Sequence, residues 1–186
     1  MNKISAGLFT QSKKIISPNY NKRPDNITID AIIIHSISLP PGCYKGNDID
    51  DFFINQLDCD KHPFYDEIRD LKVSAHLLIR RSGELLQYVN LLDRAWHAGQ
   101  SSLAGQENCN DFSIGIELEG TDTSCFTDEQ YHTLTDVVCN LMAYFPQIST
   151  ERIVGHSDIA PGRKTDPGTG FEWRRWQTML GNKLDE

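Results

Sequence analysis

The 186-residue sequence has no apolar run that approaches the roughly 20 residues of a membrane-spanning helix. Its first residues, Met1 to Ser5, include none of the apolar stretch that is typical of a secretory signal. Positive charge is also scarce, because 18 Lys and Arg residues against 26 Asp and Glu residues leave a net charge of −8. The sequence therefore predicts neither a membrane protein nor a general nucleic-acid binder.

Paired cysteines are lacking as well, since the five cysteines are an odd number without any tight spacing. Free thiols suit a reducing compartment, whereas a disulfide framework needs pairs. We therefore expect a cytoplasmic protein. The length and the hydrophobic fraction of 39% suit one domain, residues 1–186, with a full hydrophobic core, and we take a monomer as the expected state.

Strand and helix patterns alternate along the chain. A β-branched apolar run predicts a buried central strand, and two apolar runs around Ser82-Gly83 predict a hairpin. Thr127 and Gln130 form a capping-box pattern at the start of an amphipathic helix, which Pro146 ends. The predicted elements are a strand over 29–34, a short helix over 50–57, hairpin strands over 73–81 and 84–89, a strand over 112–118, a helix over 127–145, a strand over 152–155 and a helix over 171–180.

This alternation predicts an α/β fold, with a mixed central β-sheet flanked by helices. Residues 1–28 are polar and contain two prolines. We expect this N-terminal segment to wrap the surface before the first core strand.

The segment from Gly155 to Gly168 is punctuated by prolines and glycines, which predicts an ordered, non-helical loop. It carries His156 near one end and Asp166 near the other. Such a loop can fold both side chains onto one divalent metal, and Lys164 would then project toward whatever the metal binds.

His35 follows the predicted central strand as His156 follows the short strand over 152–155. If both strands lie in one sheet, their ends bring the two imidazoles together. Asp166 would complete a His-His-Asp set with a fourth tetrahedral position open, which is typical of catalytic zinc.

The same residues have simpler interpretations. A histidine at a strand end is often a structural residue, Asp158 and Asp166 are suited to capping turns, and Lys164 can be a solvated charge. Spacing therefore leaves the metal site open. The other histidines are rival ligands: His62, His76, His97 and His132.

Several longer motifs occur in a fixed order along the chain. They are His35, Ser74-Ala75-His76, Arg94 to Gly99, Asn110 to Gly120, and Gly155 to Gly168. This order resembles the AmpD-type N-acetylmuramyl-L-alanine amidases, which are zinc enzymes of cell-wall recycling. The similarity extends from about Ile15 to Trp176, which is nearly the whole chain.

The resemblance implies a zinc amidase fold of the kind found in peptidoglycan recognition proteins. It places the zinc ligands at His35, His156 and Asp166, the acid/base carboxylate at Glu117 and the transition-state lysine at Lys164. It also implies a muropeptide substrate, a 1,6-anhydro-N-acetylmuramyl peptide, cut between the lactyl group and L-alanine.

Substrate contacts are implied at Trp96, His97 and Arg163. Two further candidate contacts depart from the pattern, since Ser36 stands where close relatives often carry Asn and Lys72 stands where they carry Arg. Lys72 keeps the charge but lacks the bidentate fork of arginine. Asn108, which also stands where close relatives carry Arg, loses the charge altogether. We therefore expect weaker or broader binding of the peptide.

The chemistry requires a carboxylate that reaches the cleft. Glu117 lies on the strand face opposite Ile114 and Ile116, so the pattern allows it to take a proton from water and pass it to the departing amine. Glu119 shares that face and is its rival.

Two other functions compete with the recycling amidase. A non-catalytic muropeptide-binding module would tolerate a broken ligand set, whereas this set is complete. A phage-like amidase would act on intact cell wall, and the acidic composition weighs against it.

Overall fold

The structure, a computed structural model, describes residues 3–186. The strands are β1 (Ile4–Ser5), β2 (Leu8–Phe9), β3 (Lys13–Lys14), β4 (Tyr20–Asn21), β5 (Ala31–Ile37), β6 (Leu77–Ile79), β7 (Leu85–Gln87), β8 (Arg94–Ala95), β9 (Ser102–Leu103), β10 (Gln106–Glu107), β11 (Ser113–Glu119) and β12 (Ile153–Gly155). The α-helices are α1 (Asp48–Phe53), α2 (Asp128–Tyr144), α3 (His156–Ile159) and α4 (Trp173–Leu184). Short 3₁₀ helices lie at Cys59–Lys61, Pro63–Ile68, Cys109–Asp111 and Thr150–Arg152.

Six of these strands form the central sheet, in the order β12-β5-β11-β6-β7-β3. The first four run parallel, β7 is antiparallel to β6, and β3 is parallel to β7. The antiparallel pair is the predicted hairpin. Together with the flanking helices, this mixed sheet confirms the predicted α/β class.

The main hydrophobic core lies between one face of the sheet and helices α2 and α4. Ile32 and Ile34 of β5 point to this face. They belong to one cluster with Leu134 and Leu141 of α2 and with Trp176 of α4. The predicted capping box starts α2. In residues 3–186, no helix has the length and apolar composition that crossing a bilayer demands.

The opposite face of the sheet carries the polar residues. Side chains alternate along a strand, so His35 in β5 and Glu117 in β11 point away from the main core. Helix α1 and the segments that follow it cover part of this face with a second apolar cluster that includes Phe52 and Phe53.

The predicted central strand was wrong at its end. β5 continues to Ile37, so His35 lies inside the strand and not after it. The reason is pairing, because β11 accompanies β5 over all seven of its residues whatever their polarity. The other predicted elements are present with ends shifted by a few residues or, in the hairpin, with shorter strands.

The N-terminal segment penetrates more deeply than predicted. It contributes β3 to the edge of the central sheet. Arg23 also reaches into the interior, where its guanidinium donates hydrogen bonds to four backbone carbonyls. Those carbonyls belong to Leu91, Asn110, Asp111 and Ser113.

Candidate active site

Three neighbouring strands deliver polar side chains to one row across the sheet. Glu117 of β11 is the direct register partner of His35 in β5. On the other side, Gly155 of β12 pairs with Ile34, so His156 follows at the level of His35. Parallel pairing in this register therefore brings together residues that are up to 121 positions apart.

The loop after β12 returns Asp166 to the same row. It begins with one helical turn, α3, and is therefore not wholly non-helical as predicted. Asp158 caps this turn by accepting a hydrogen bond from the backbone N–H of Gly155 at 2.7 Å. The backbone N–H of Ser157 donates to Asp166 O at 2.9 Å and fixes the end of the loop. Capping is thus the role of Asp158, while the Asp166 side chain is free to face the histidines.

Each of the three side chains contributes one atom that could bind a metal, and these three atoms form a triangle that we call the donor triangle. His35 Nδ1 lies 3.0 Å from His156 Nδ1 and 3.0 Å from Asp166 Oδ2. His156 Nδ1 lies 3.1 Å from the same carboxylate oxygen. Metal–ligand bonds of about 2.0 Å at a tetrahedral angle separate the ligand atoms by about 3.3 Å, so this triangle fits one small cation.

The outer nitrogens of both imidazoles have partners of their own. His35 Nε2 lies 3.0 Å from His97 Nδ1, and His156 Nε2 lies 3.1 Å from the carbonyl oxygen of Ala98. Both rings are buried, at 1% and 4% exposure. The Nδ1 atoms are therefore the ones that face the common centre.

Electrostatics favour a neutral imidazole at His35 and an ionised Asp166. Burial lowers the pKa of His35 to about 4, and the charge of Lys164 acts in the same direction. Burial by itself would raise the pKa of Asp166, but hydrogen bonding to both imidazoles holds it well below its ordinary value. Neutral imidazole and carboxylate are the forms that bind a metal ion.

Glu117 is a buried carboxylate with an unpartnered oxygen. Its Oε2 has no hydrogen-bond partner in the described part of the chain. Burial raises the pKa of Glu117 well above its ordinary value, and the charge of Asp166 adds to the rise while that of Lys164 opposes it. A buried polar atom without a partner is costly, which indicates a group kept for chemistry.

Glu119, the predicted rival, has a different environment. Its two oxygens accept hydrogen bonds from Arg80 Nη1 at 2.9 Å and from the backbone N–H of Arg81 at 3.0 Å. Arg80 also donates to Asp50 at 2.7 Å. Glu119 is therefore part of a buried ion-pair network, with no oxygen left for the cleft.

A cavity of about 490 Å³ opens over the donor triangle. Glu117, Lys164, Ser36, Trp96 and His97 all line it, as do the three converging residues. Trp96 is half-buried and its indole N–H donates to Asn21 at 2.7 Å, so it serves packing and lining together.

Two predicted substrate contacts lie outside this lining. Lys72 is exposed between the lining residues Leu71 and Val73 without lining the cavity itself. Arg163 donates from Nη2 to Ala98 O at 2.7 Å and to Gln100 O at 2.5 Å. Backbone carbonyls, and not the cavity, therefore occupy the guanidinium of Arg163.

The sequence patterns did not reveal the apolar wall of the cavity. Its residues come from the region between β5 and β6, where short helices fold over the sheet. They are Leu39, Pro41, Phe52, Phe53, Phe64, Ile68, Leu71 and Val73. Leu71 is 50% exposed, and a large exposed apolar residue is a signal of such a rim only once the fold is known.

Asp122 was also missed, although it lies just after β11, the strand that carries Glu117. It accepts hydrogen bonds from Thr165, next to Asp166, and from Ser36 at 3.5 Å. It therefore ties the loop that carries Asp166 to the end of the sheet.

The rival histidines do not join the triangle. His62 is exposed and caps a 3₁₀ helix, and His132 is exposed on α2. His76 is buried and accepts a hydrogen bond from the backbone N–H of Gly115 at 3.0 Å. Among residues 3–186, the group able to hold a metal is His35, His156 and Asp166.

A sheet row with two imidazoles, one ionised carboxylate and one unpartnered carboxylate, all beneath a cavity, defines a site suited to metal-assisted hydrolysis. Known proteins of this class match the chain. The model of the N-acetylmuramoyl-L-alanine amidase family matches residues 25–169. The chain therefore belongs to the N-acetylmuramoyl-L-alanine amidases, a family of amide hydrolases.

Individual relatives agree with this assignment. The chain is 50% identical over 177 residues to the 1,6-anhydro-N-acetylmuramyl-L-alanine amidase AmpD of Haemophilus influenzae, covering 95% of this chain and 96% of the relative. A crystal structure of an AmpD derivative superposes with a TM-score of 0.92 at 47% identity, covering 95% of this chain and 98% of that chain. The Escherichia coli amidase AmiD, solved in complex with its substrate anhydro-N-acetylmuramic acid-L-Ala-D-gamma-Glu-L-Lys, superposes with a TM-score of 0.63 at 26% identity, covering 86% of this chain and 61% of that chain.

Proposed function

We propose that this amidase hydrolyses the amide bond between the lactyl group of 1,6-anhydro-N-acetylmuramic acid and L-alanine in soluble muropeptides, as a zinc enzyme of peptidoglycan recycling. The observation that carries the proposal is the unpartnered Oε2 of Glu117 beside the triangle of His35, His156 and Asp166. A binding module without catalysis has no need for a buried, unsatisfied carboxylate at this place. The substrate is the one that the name of the AmpD relative states.

Zinc fits the residues of the triangle. Two neutral imidazoles and one carboxylate are a ligand set that zinc uses, and three protein ligands leave one position open. When bound, zinc supplies a Lewis acid that lowers the pKa of water and polarises a carbonyl oxygen. His35, His156 and Asp166 would hold it through the atoms that already lie 3.0 to 3.1 Å apart.

Glu117 is proposed to move the proton of the reaction. Its raised pKa suits a group that takes a proton from the attacking water and returns it to the nitrogen of L-alanine as the amide bond breaks. Water adds across the bond, so the products are a lactyl carboxylic acid and a free amino group on L-alanine.

Lys164 is proposed to stabilise the charge that develops on the carbonyl oxygen. It lines the cavity, and its positive charge lowers the pKa of both Glu117 and His35. An ammonium group donates without accepting, which suits an oxyanion.

Substrate contacts are proposed for Ser36 and Trp96, which both line the cavity. Trp96 offers an aromatic plane for a sugar ring. The apolar wall of the cavity is proposed to contact the rest of the bound substrate. The bound ligand of AmiD supports a muropeptide of this size in such a cleft.

A cytoplasmic location and a monomeric state complete the proposal. All five cysteines are free thiols, which suits a reducing compartment. Cell fractionation and light scattering of the purified protein test these two points.

The decisive experiment compares two substrates. The purified protein is incubated with a defined anhydro-muramyl tripeptide and, separately, with intact sacculi, and its zinc content is measured by elemental analysis. We expect about one zinc per chain and rapid release of the free peptide from the soluble compound. Clearing of sacculi with little activity on the soluble compound would instead support an amidase of intact cell wall.

A further inference from the structure

His35 and His156 each form a hydrogen bond through Nε2, the ring nitrogen that faces away from the donor triangle. Both bonds go to one short segment, His97-Ala98. The carbonyl oxygen of Ala98 can only accept a hydrogen bond, so His156 donates to it from Nε2. A neutral ring that is protonated at Nε2 has a bare Nδ1, which is the form that binds a metal. The orientation of His156 is therefore set by a backbone carbonyl.

The direction of the bond between His35 and His97 follows from Ser113. Ser113 Oγ lies 2.5 Å from the carbonyl oxygen of Cys109, so its only proton is donated there. His97 Nε2 lies 3.4 Å from the same Oγ and must be the donor of that contact. The Nδ1 atom of a neutral His97 is then bare and can only accept, so His35 donates from Nε2 and keeps its own Nδ1 free.

Packing holds the His97 ring in this place. A Cβ atom at position 115 would lie 2.4 Å from His97 Cγ, so Gly115 leaves the space that the ring occupies. Asn110 Oδ1 accepts hydrogen bonds from the backbone N–H groups of His97 at 3.0 Å and Ala98 at 2.8 Å. The backbone at His97 is therefore fixed by Asn110, and its ring lies in the space above Gly115 with Nδ1 toward His35.

We propose that His97 is a positioning residue, which fixes the tautomer and orientation of His35 through a chain of hydrogen bonds that starts at the Cys109 carbonyl. On this basis His97 acts on the metal through His35, and not as the substrate contact that the family resemblance implies. The inference rests on the proposed zinc site.

The test uses two variants of nearly equal shape. His97→Asn places an amide oxygen near the position of Nδ1 and keeps an acceptor for His35, whereas His97→Leu removes it. Zinc affinity is measured by chelator competition on wild type and both variants, with circular dichroism as the control for folding. We expect His97→Leu to bind zinc about 10- to 100-fold more weakly, and His97→Asn to stay within about threefold of wild type.

Each other result has a distinct meaning. Equal zinc affinity in wild type and His97→Leu, or equal losses in both variants, would overturn the positioning role. A raised KM with unchanged zinc affinity would do the same and restore the substrate contact. Wild type that binds no zinc would overturn the proposed function itself, and the inference with it.

A measurement on the wild-type protein tests the inference without depending on whether a variant folds. In the zinc-loaded, ¹⁵N-labelled protein, we expect a scalar coupling between His35 Nε2 and His97 Nδ1, carried by the hydrogen bond, with the proton on His35. A proton found on His97 Nδ1 would contradict the inference.

Discussion

Two glutamates that are two residues apart on β11 should respond in opposite ways to the same isosteric change. Glu119 is fully partnered by Arg80 and the backbone N–H of Arg81, while Glu117 keeps one oxygen without a partner. We therefore predict that Glu119→Gln lowers stability and spares turnover, and that Glu117→Gln strongly lowers turnover and spares stability.

The size of the stability loss in Glu119→Gln follows from the buried ion-pair network that Glu119 forms with Arg80. Removing one partner of a buried ion pair costs about 3–5 kcal/mol in the free energy of unfolding. Arg80 keeps its bond of 2.7 Å to Asp50, and glutamine keeps one acceptor oxygen, so the loss is smaller than for complete removal. We expect a loss of about 2–3 kcal/mol.

For Glu117→Gln we expect no loss in the free energy of unfolding. The folded pKa of Glu117 lies above its unfolded value, because burial and the charge of Asp166 disfavour ionisation. The metal-free wild type therefore loses stability as the pH rises from the unfolded pKa, about 4.3, through the folded pKa. Glutamine removes this loss, so metal-free Glu117→Gln should be at least as stable as wild type at pH 7.

Urea unfolding of the metal-free proteins and steady-state hydrolysis of one anhydro-muramyl peptide measure both effects. We expect the turnover of Glu117→Gln to fall by about 10²–10⁴-fold, as for loss of a general base, and that of Glu119→Gln to stay near wild type. Full turnover in Glu117→Gln, or a Glu119→Gln variant that is stable but inactive, would refute the assignment of the two carboxylates.

Three further predictions concern charge and metal. Lys164→Met should lower turnover by about 10²–10³-fold with an unchanged melting temperature, because its side chain is exposed; unchanged turnover by steady-state kinetics would remove Lys164 from the mechanism. Free zinc at about 100 times its Kd should raise the free energy of unfolding by about 2.7 kcal/mol, and calorimetry should find no such gain in Asp166→Ala. Burial by itself would raise the pKa of Asp48, but hydrogen bonds from Lys61 and Tyr65 hold it below its ordinary value. The contribution of Asp48 to the free energy of unfolding is therefore present above about pH 3.9 and is lost as the pH falls through the folded pKa. Asp48→Asn should therefore lose about 1–3 kcal/mol at pH 7 and show a flatter pH dependence in acid; equal urea midpoints for variant and wild type at pH 7 would contradict this.

Part of the site could be predicted because the strands that carry it are visible in local patterns. The apolar run before His35 and the short strand before His156 indicated two strands whose ends could meet. The family resemblance then selected these residues, with Asp166, from the competing histidines. The structure brings these three side chains together, whereas His62 and His132 are exposed and lie outside the donor triangle.

The remaining features depend on register and on contacts between distant loops, which a sequence pattern does not contain. Glu117 and Glu119 lie on the same strand face, and only the position of Arg80 on the neighbouring hairpin separates a network member from an unpartnered carboxylate. Arg163 is adjacent to Lys164 in sequence, yet it bonds to the backbone of the segment after His97. Charge alone could not distinguish these roles.

The position of the polar row on the sheet explains how the fold tolerates it. Alternate side chains of β5 and β11 enter the main core and pack with α2 and α4, namely Ile32, Ile34, Ile114, Ile116 and Leu118. That face provides the apolar burial that stabilises the sheet, so the alternate positions are free to carry His35, Gly115 and Glu117. Because neighbouring parallel strands keep these positions in register, a shift of one residue in β11 would move Glu117 into the apolar face and an isoleucine into the cleft. The hydrophobic pattern that folds the sheet therefore also fixes the geometry of the candidate site.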